Sequence, residues 1–460
     1  MEIGDYLPLF MFGALGILLF SGYPVAFVLG GIGLTFGFIG IAFGEFYFSF
    51  IQFFNLLPRL WGEGGGGIAA NLILTAIPMF IFMGTMLEKS GVAADLLHCL
   101  QVLLRRVPGG LALSVTLMGT IMAATTGIIG ASVVMMTLLA LPAMVSRAYN
   151  TPLATGTIAA SGTLGILIPP SIMLVIMADL LSKSVGNLFV AAIFPGFLLA
   201  GSYMVYIFLL CRFKPTLAPP LPDDIGPQTT SELLLMVLKS FVPPVFLVFL
   251  VLGSILFGWA APTEAAGVGA AGATLLAILN RKLSWQILKD VIERSALTNG
   301  MIFGIFIGAS CFSYVFRNLG GDDLVVGIVE SFGLGSWGLL ILLMGIVFLL
   351  GFFFDWIEIT LIVLPVFSPI IELLDFGDHL PRGEVVYWFA ILMAVNLQTS
   401  FLTPPFGFAL FYMKGVAPPE VRIQQIYKGI IPFVILQLTG LGLVMAFPNI
   451  ALWLPRVLLN

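Results

Sequence analysis

The sequence predicts an all-α protein that crosses a membrane many times, and three observations support this fold class. Of its 460 residues, 60% are hydrophobic and only 9% are charged, whereas a water-soluble fold of this size presents many more polar residues to solvent. Apolar runs long enough to span a bilayer recur from Tyr6 to the C-terminus. These runs are continuous and lack the alternation of a transmembrane β-barrel.

Ten complete spans are predicted along the chain, at residues 6–22, 24–43, 71–87, 153–182, 187–211, 233–258, 262–281, 295–316, 384–413 and 430–454. Two further apolar segments, about 109–147 and 336–375, are interrupted near their centres by small or polar residues. Because each segment returns to a charged connection, we interpret both as helical hairpins that enter the membrane and leave on the same side.

Two of the predicted spans, about 153–182 and 384–413, contain the proline pairs Pro169–Pro170 and Pro404–Pro405. A proline pair removes two backbone donors and interrupts a helix. At membrane depth this is tolerated only where a cavity, a ligand or other parts of the protein satisfy the freed groups. We therefore predict a discontinuous helix in each of these two spans.

The chain divides into two similar halves, residues 1–213 and 233–460, joined by a polar, proline-rich cytoplasmic linker at residues 214–232. Each half has five predicted spans, one hairpin and one discontinuous helix, and an odd number of crossings inverts the second half relative to the first. The stretch beginning at Met118 resembles the stretch beginning at Met344, and Ser161 corresponds to Asn396. This arrangement predicts a secondary transporter built from two inverted repeats.

The distribution of basic residues predicts the orientation of the spans. An N-terminus on the outside leaves most of the 19 lysine and arginine residues in the cytoplasm. The exceptions are Arg59, Lys183, Arg317, Arg382 and Arg456. Because basic residues concentrate on the cytoplasmic side of membrane proteins, we predict that both termini are periplasmic.

The hairpin tips and helix breaks carry residues that suit a small cation. A helix that ends inside the membrane exposes carbonyl oxygens, and hard cations bind such oxygens together with hydroxyl, amide and carboxylate oxygens. Sodium site one is predicted to comprise Thr125, Thr126, Gly127, Ser132, Ser161, Gly162, Thr163 and Gly165. Sodium site two is predicted to comprise Gly351, Asp355, Asn396, Thr399, Ser400 and Thr403.

Close helix packing is the alternative explanation for the small residues, since glycine, serine and threonine are common where membrane helices touch. Asp355 needs a different explanation, because a carboxylate inside a membrane is costly and is usually functional. The paired placement of small polar residues at a hairpin tip and a helix break, once in each half, favours ion binding for both sets.

Four motifs resemble one known family, namely "NLILTAIPMFIFMGTMLEKSG" from Asn71, "ASGTLGILIPPSIMLVIMA" from Ala160, "APTEAAGVGA" from Ala261 and "TPPFGFALFYMKGVAP" from Thr403. Together they resemble the large membrane subunit, or M subunit, of tripartite ATP-independent periplasmic (TRAP) transporters, within the ion-transporter superfamily. The resemblance extends over nearly the whole chain. It implies an elevator-type fold, in which both hairpins and both discontinuous helices form a mobile transport domain beside a scaffold domain.

The resemblance also implies a Na⁺-coupled importer in a bacterial inner membrane, with two or more Na⁺ ions, no organic cofactor and no enzymatic activity. The implied partners are a small four-span membrane subunit and a periplasmic binding protein that delivers a small organic carboxylate. We expect Thr126, Pro169, Pro170 and Ser171 to line the substrate site, because the positive N-terminal end of a half-helix suits a carboxylate.

Three other functions are compatible with a helical membrane protein. The first is a Na⁺/carboxylate symporter of the same superfamily that works without partner proteins. The second is an intramembrane enzyme, which is disfavoured because the predicted spans contain no histidine cluster or nucleophile–base pair. The third is a channel, which would show single-channel currents in place of saturable, Na⁺-dependent uptake.

Overall fold

The computed structural model describes residues 6–43, 55–61, 67–126, 129–221, 226–227, 229–331, 333–405 and 407–458. The regular secondary structure of these residues consists of α-helices and short 3₁₀-helices. The predicted all-α fold class is therefore confirmed.

The first half contains ten α-helices among the residues that the structure describes. They are α1 Leu7–Leu19, α2 Val25–Phe43, α3 Leu56–Trp61, α4 Ala76–Lys89, α5 Val92–Leu103, α6 Gly110–Thr126, α7 Ile129–Ser146, α8 Thr151–Thr163, α9 Ile172–Leu180 and α10 Val185–Phe213. We refer to α6 and α7, which pack against each other, as hairpin one. A single 3₁₀ turn, Leu164–Ile166, extends α8 towards the first proline pair.

After the linker, the described residues of the second half have a similar order of elements, without a counterpart of the short α3. Its helices are α11 Thr230–Ser240, α12 Val242–Leu256, α13 Pro262–Leu279, α14 Trp285–Asn318, α15 Gly321–Ser331, α16 Ser336–Leu350, α17 Trp356–Leu373, α18 Val385–Ser400, α19 Phe408–Val416, α20 Ile423–Ala446 and α21 Asn449–Leu458. We refer to α16 and α17, which also contact each other, as hairpin two.

Seven helical segments among the described residues are long and apolar enough to cross a membrane. They are Val25–Phe43, Ile129–Ser146, Val185–Phe213, Thr230–Leu256, Pro262–Leu279, Trp285–Asn318 and Ile423–Ala446. The discontinuous helices are absent from this set because neither of their parts reaches the length of a bilayer crossing.

The boundaries of three predicted spans are wrong. The last predicted span, 430–454, is divided, because α20 ends at Ala446 and the amphipathic α21 begins at Asn449. Pro448 lies between them and disfavours helical geometry at the preceding residue. The predicted span 295–316 is part of the longer α14, whose first turn is capped by the Ser284 hydroxyl, which accepts from the Ile287 amide at 3.2 Å. In the predicted span 71–87, α4 begins only at Ala76.

Helices of the two halves pack against each other in a reciprocal pattern. The contact between α2 and α14 is close, since a Cβ atom on Gly308 would lie 2.4 Å from the Ala26 carbonyl oxygen. The contact between α4 and α13 is equally close, since a Cβ atom on Gly269 would lie 2.4 Å from the Met83 sulfur. By element order α13 corresponds to α2 and α14 to α4, so the two contacts are equivalent.

Three of the basic residues that the sequence predicts on the outside bind carboxylates of one segment, residues 372–384. Lys183 lies 3.9 Å from Glu372, Arg382 bonds Asp375, and Arg456 bonds Glu384. Hydrogen bonds from the Arg382 guanidinium and the Gly377 amide hold the pKa of Asp375 below its usual value. The three predicted outside residues therefore lie close together in the fold.

Candidate functional site

The first helix break lies between α8 and α9. Its Pro169–Pro170 bond is cis, as is the Pro404–Pro405 bond of the second break. The Ser171 hydroxyl donates to the Ile166 carbonyl at 2.5 Å and accepts from the Leu174 amide at 3.5 Å. Ser171, which the sequence predicts as a substrate contact, is thus fully buried, and its hydroxyl bridges the break and caps α9.

Hairpin one encloses the end of α8. The Ser161 hydroxyl donates to the Thr116 hydroxyl of α6 at 3.3 Å. A Cβ atom on Gly119 would lie 2.7 Å from the Ser161 Cβ, and one on Gly162 would lie 2.5 Å from a Val133 methyl of α7. The last two turns of α8 therefore fit between the two arms only because small residues line the contact.

The structure brings together part of the predicted sodium site one. Ser161, Gly162 and Gly165 lie against hairpin one, and the Thr163 hydroxyl donates to the Ala160 carbonyl at 2.9 Å. Ser132 is also buried. Gly127 lies outside the described residues, and the side chains of Thr125 and Thr126 lie outside the described part of α6.

The second helix break lies between α18 and α19, beside hairpin two. The hydroxyls of Thr399, Ser400 and Thr403 donate to backbone carbonyls one turn earlier, at 2.7, 2.6 and 3.0 Å. Because each hydroxyl donates its only proton, the lone pairs of each oxygen remain available to accept. A Cβ atom on Gly351 would lie 2.7 Å from the Ser400 Cβ, so the end of α16 touches this break.

Asn396, one helical turn before Thr399 and Ser400, has an unsatisfied side-chain acceptor. Its Nδ2 donates to the Met344 carbonyl of α16 at 2.8 Å, which determines which way the amide points. Its Oδ1 is buried and has no hydrogen-bond partner. A buried acceptor without a partner costs about 1–3 kcal/mol, and an amide oxygen is a ligand that hard cations accept. This oxygen is the strongest indication of a cation site in the described structure.

Asp355 begins α17 at the tip of hairpin two. One of its carboxylate oxygens accepts from the Trp356 amide at 2.8 Å, while the Asp355 amide donates to the Glu358 carboxylate at 3.2 Å. This reciprocal arrangement is a capping box, which satisfies backbone donors that the helix itself cannot. The carboxylate that the sequence predicts as a sodium ligand therefore also has a structural role at the start of the helix.

The two breaks contact their hairpins at equivalent positions. Ser161 bonds the first arm of hairpin one, and the corresponding Asn396 bonds the first arm of hairpin two. Four residues later, Gly165 and Ser400 approach Ala123 and Gly351 at the ends of those arms. These contacts place Ser161 and Gly165 of the first set, and Asn396 and Ser400 of the second, between a hairpin and a helix break.

Sequence reasoning missed the partners of Ser161 and Asn396 on the hairpins. Thr116 is detectable in principle, because Thr116, Gly119 and Ala123 are small residues spaced to share one face of a helix. The Met344 carbonyl has no signal in the sequence, since any residue supplies a backbone oxygen.

A family model matches residues 12–450 of the chain, and it describes the DctM component of tripartite ATP-independent periplasmic transporters. The C4-dicarboxylate TRAP transporter large permease protein DctM of Pseudomonas aeruginosa is 30% identical over 83% of this chain and 86% of its own length. The isethionate TRAP transporter permease protein DctMQ of Oleidesulfovibrio alaskensis is 29% identical over 98% of this chain and 67% of its own length.

The solved structure of the YdaH transporter of Alcanivorax borkumensis is similar in fold, with a TM-score of 0.58 and 13% sequence identity. The similarity covers 96% of this chain and 98% of the YdaH chain. At this level of identity the comparison shows a shared fold and no more.

Proposed function

The chain belongs to the DctM component family of tripartite ATP-independent periplasmic transporters, and we propose that it is the large subunit of a Na⁺-coupled importer for a small organic carboxylate. Membership in a family of transporter permeases agrees with the expectation that the chain is not an enzyme. The proposal further places it in a bacterial inner membrane, with both termini in the periplasm.

The unpaired Oδ1 of Asn396 is the observation that carries the Na⁺ proposal. It lies on the face of α18 that also holds Thr399 and Ser400, because residues three and four positions apart share one face of a helix. Thr403 follows in the turn after α18, where its hydroxyl donates to the Thr399 carbonyl. We propose that these oxygens, with Asp355 and the backbone at Gly351, bind one Na⁺. A second Na⁺ binds at the first break, among Ser161, Thr163 and the tip of hairpin one.

Substrate binds, in this proposal, where the first break meets hairpin one. The start of α9 presents backbone amides whose partial positive charge suits an anion. Pro169, Pro170 and Thr126 are proposed to line this region, while the Ser171 hydroxyl, which donates to the Ile166 carbonyl, bridges the break. The names of two relatives, one for a C4-dicarboxylate and one for isethionate, support an organic anion as the transported class.

Transport follows an elevator mechanism in this proposal. The hairpins and discontinuous helices move together, and the α2–α14 and α4–α13 pairs serve as the scaffold. The Na⁺ gradient and the membrane potential supply the work, and one charge moved through 100 mV provides about 2.3 kcal/mol.

Two partner proteins complete the proposed importer, a small four-span membrane subunit and a periplasmic binding protein. The DctMQ relative supports the first, since a third of its length extends beyond the region that matches this chain. Uptake into proteoliposomes that contain this chain together with both partners is expected, and uptake by the chain alone would favour the stand-alone symporter.

Replacing Asn396 tests the sodium proposal without knowledge of the substrate. The thermal unfolding midpoint of the purified chain is measured in NaCl and in choline chloride at equal ionic strength. A ligand that binds only the folded state raises its stability by RT ln(1 + [L]/Kd), so we expect a higher midpoint for the wild type in NaCl. Asn396→Leu removes the unpaired oxygen and is expected to lose most of this Na⁺-dependent shift.

Gln437→Leu is the matched control. Gln437 is a fully buried amide of α20, but it lies outside both proposed sites. This variant is expected to keep the full Na⁺-dependent shift. Equal wild-type midpoints in the two salts, or a full shift in Asn396→Leu, would contradict the sodium proposal.

A further inference from the structure

An apolar groove runs along hairpin two, between its two arms and the helices α1, α14 and α15. Its volume is about 290 Å³, and every residue that lines it is apolar. Both arms of the hairpin contribute, with Leu343 and Ile346 from α16 and Val363 and Val366 from α17. Cavities lined only by apolar groups exclude water, so the occupant of this groove must itself be apolar.

The length of the groove matches one leaflet of a bilayer. Along α16 its lining extends from Leu339 to Leu350, and the helix rises about 16 Å between these residues. This length is about half of the ~30 Å hydrocarbon core of a membrane, which is the depth that the acyl chain of one lipid spans. Beyond Leu350, the Phe20 and Phe353 rings lie 5.3 Å apart and join α1 to the tip of hairpin two.

The groove is open on one side. Leu9 of α1 and Ile328 of α15 line it and are 50% and 41% exposed, whereas Leu339 and Leu343 of α16 are almost fully buried. In a membrane, the surroundings of such exposed apolar side chains are the hydrocarbon chains of lipids. An acyl chain can therefore enter the groove from the side, without leaving the bilayer.

A charged cluster borders the groove. Arg317 follows Phe316, which lines the groove, and its guanidinium donates to the Pro365 carbonyl of α17. The Arg317 Nε lies 3.7 Å from the Asp322 carboxylate, and the Arg317 side chain is 40% exposed. The Asp322 Oδ1 is buried and has no hydrogen-bond partner among the described residues. The cluster thus places a guanidinium, which has five N–H donors, beside an acceptor that lacks a donor.

We propose that this groove binds the acyl chain of a zwitterionic phospholipid whose headgroup carries a primary ammonium group. The phosphate contacts the Arg317 guanidinium, a group well suited to phosphate, and the ammonium donates to Asp322. An anionic phospholipid fits less well, since Asp322 and the adjacent Asp323 place two carboxylates beside this guanidinium. This lipid site goes beyond the proposed function and does not depend on either Na⁺ site.

The test identifies the residues that a bound lipid touches. The purified full-length chain in detergent micelles is mixed with phosphatidylethanolamine, which has the proposed headgroup chemistry, carrying a photoactivatable diazirine near the end of one acyl chain. After illumination, peptide mass spectrometry locates the crosslinked residues. We expect crosslinks at the inner end of the groove, near Ile346 and Leu350. Unlabelled phosphatidylethanolamine is expected to compete at lower concentrations than the anionic phosphatidylglycerol.

Two adjacent residues of α16 provide a matched pair of variants. Leu342 lines the groove, so Leu342→Trp fills part of it. Its crosslinking is expected to fall about tenfold, because methylene groups kept out of the groove lose the gain from their burial. Ile341 is 59% exposed and lies outside the lining. Ile341→Trp is therefore expected to keep the crosslinking of the wild type.

The headgroup contacts are tested with substitutions in the charged cluster. Arg317→Gln removes the charge that attracts the phosphate, and we expect the concentration of phosphatidylethanolamine for half-maximal crosslinking to rise about fivefold. Arg317→Lys keeps a cation and is expected to retain most of the affinity. Asp322→Asn removes the charge that attracts the ammonium, and it is expected to reduce the preference for phosphatidylethanolamine over phosphatidylglycerol.

The outcomes that contradict the lipid site differ from those that concern Na⁺. Crosslinks spread over all lipid-facing helices, or equal crosslinking of Leu342→Trp and the wild type, would overturn the site. Equal competition by the two lipids would overturn the headgroup assignment. Loss of crosslinking when the small membrane subunit is bound would assign the groove to that subunit. None of these results changes the Na⁺ proposal, which thermal unfolding tests separately.

Discussion

Ser161 and Asn396 occupy corresponding positions before the two helix breaks, but the hydrogen bonding of their side chains differs. The Ser161 hydroxyl already has a partner in Thr116, so the first break is held by contacts between small groups. Asn396 is held at one end by the Met344 carbonyl, and its oxygen remains unpaired. In the proposed function, the first site therefore depends chiefly on close packing, and the second on one amide group.

A glycine substitution tests the dependence of the first site on close packing. Gly119→Ala would place a methyl group 2.7 Å from the Ser161 Cβ and 3.0 Å from its carbonyl oxygen. Forcing an extra carbon into a tight contact costs about 1–3 kcal/mol. In thermal unfolding experiments we expect a lower midpoint for Gly119→Ala than for the wild type. We also expect that this variant needs a higher Na⁺ concentration to reach half of the Na⁺-dependent shift in its midpoint.

Gly201→Ala is the control for this substitution. Gly201 is a glycine of α10 with no heavy atom within 4 Å of the added methyl group. Alanine in a helix is favoured over glycine by about 0.5–1 kcal/mol, so the midpoint is expected to stay the same or rise. If Gly119→Ala behaved like Gly201→Ala, the close contact between α6 and α8 would be unimportant for the first site.

At the scale of elements, Asp355 caps the start of α17 and also belongs to a candidate ion site. A helix that begins inside a membrane has backbone donors that water cannot satisfy. Asp355 and Glu358 satisfy two of them at the start of α17. The structural requirement for Asp355 and its proposed role as a Na⁺ ligand must therefore be separated by experiment.

Two substitutions of Asp355 separate these roles. Asparagine caps a helix about as well as aspartate, so Asp355→Asn is expected to keep the stability of the ion-free protein while losing Na⁺ affinity. Asp355→Ala also loses the cap and is expected to be destabilised by about 1 kcal/mol in addition. Thermal unfolding with and without NaCl distinguishes the two effects. Unchanged Na⁺ affinity in Asp355→Asn would restrict Asp355 to its capping role.

At the scale of the whole molecule, each half completes its packing only with the other half. Helices α2 and α4 pack against α14 and α13, while α9 and α19 pack against the hairpins of the opposite halves. Each hairpin is therefore bordered by the end of a discontinuous helix from the other half. This exchange of contacts gives the two proposed ion sites a physical connection that neither half could provide alone.

The predicted orientation is tested with single cysteines at two charged, exposed positions. Arg382→Cys lies in the segment 372–384, whose carboxylates bind basic residues predicted to lie outside. Lys289→Cys lies in the first turns of α14. A membrane-impermeant maleimide is expected to label Arg382→Cys from the periplasmic side and Lys289→Cys only from the cytoplasmic side. The natural cysteines Cys99, Cys211 and Cys311 are buried and are expected to react slowly, which the wild type checks. The reverse labelling pattern would invert the predicted topology.

Much of the candidate site was predictable from the sequence, because its main signals are local. Proline pairs beside serine, threonine and asparagine locate both breaks without reference to any other segment. The boundaries of α20 and α21 were missed because an apolar run continues through Pro448. The contact between Tyr412 and Gly130 was also missed, since it joins residues far apart in the chain.

The sequence by itself determined that this protein is a helical membrane protein with one interrupted helix in each half, because hydropathy and backbone chemistry act within a single segment. Only the tertiary structure decided which atoms those interruptions face. The Asn396 Nδ2 donates to the Met344 carbonyl, 52 residues away in the sequence, and the Asn396 Oδ1 has no hydrogen-bond partner. Such pairings depend on how helices pack across the fold, and packing between distant segments is not encoded in any one of them.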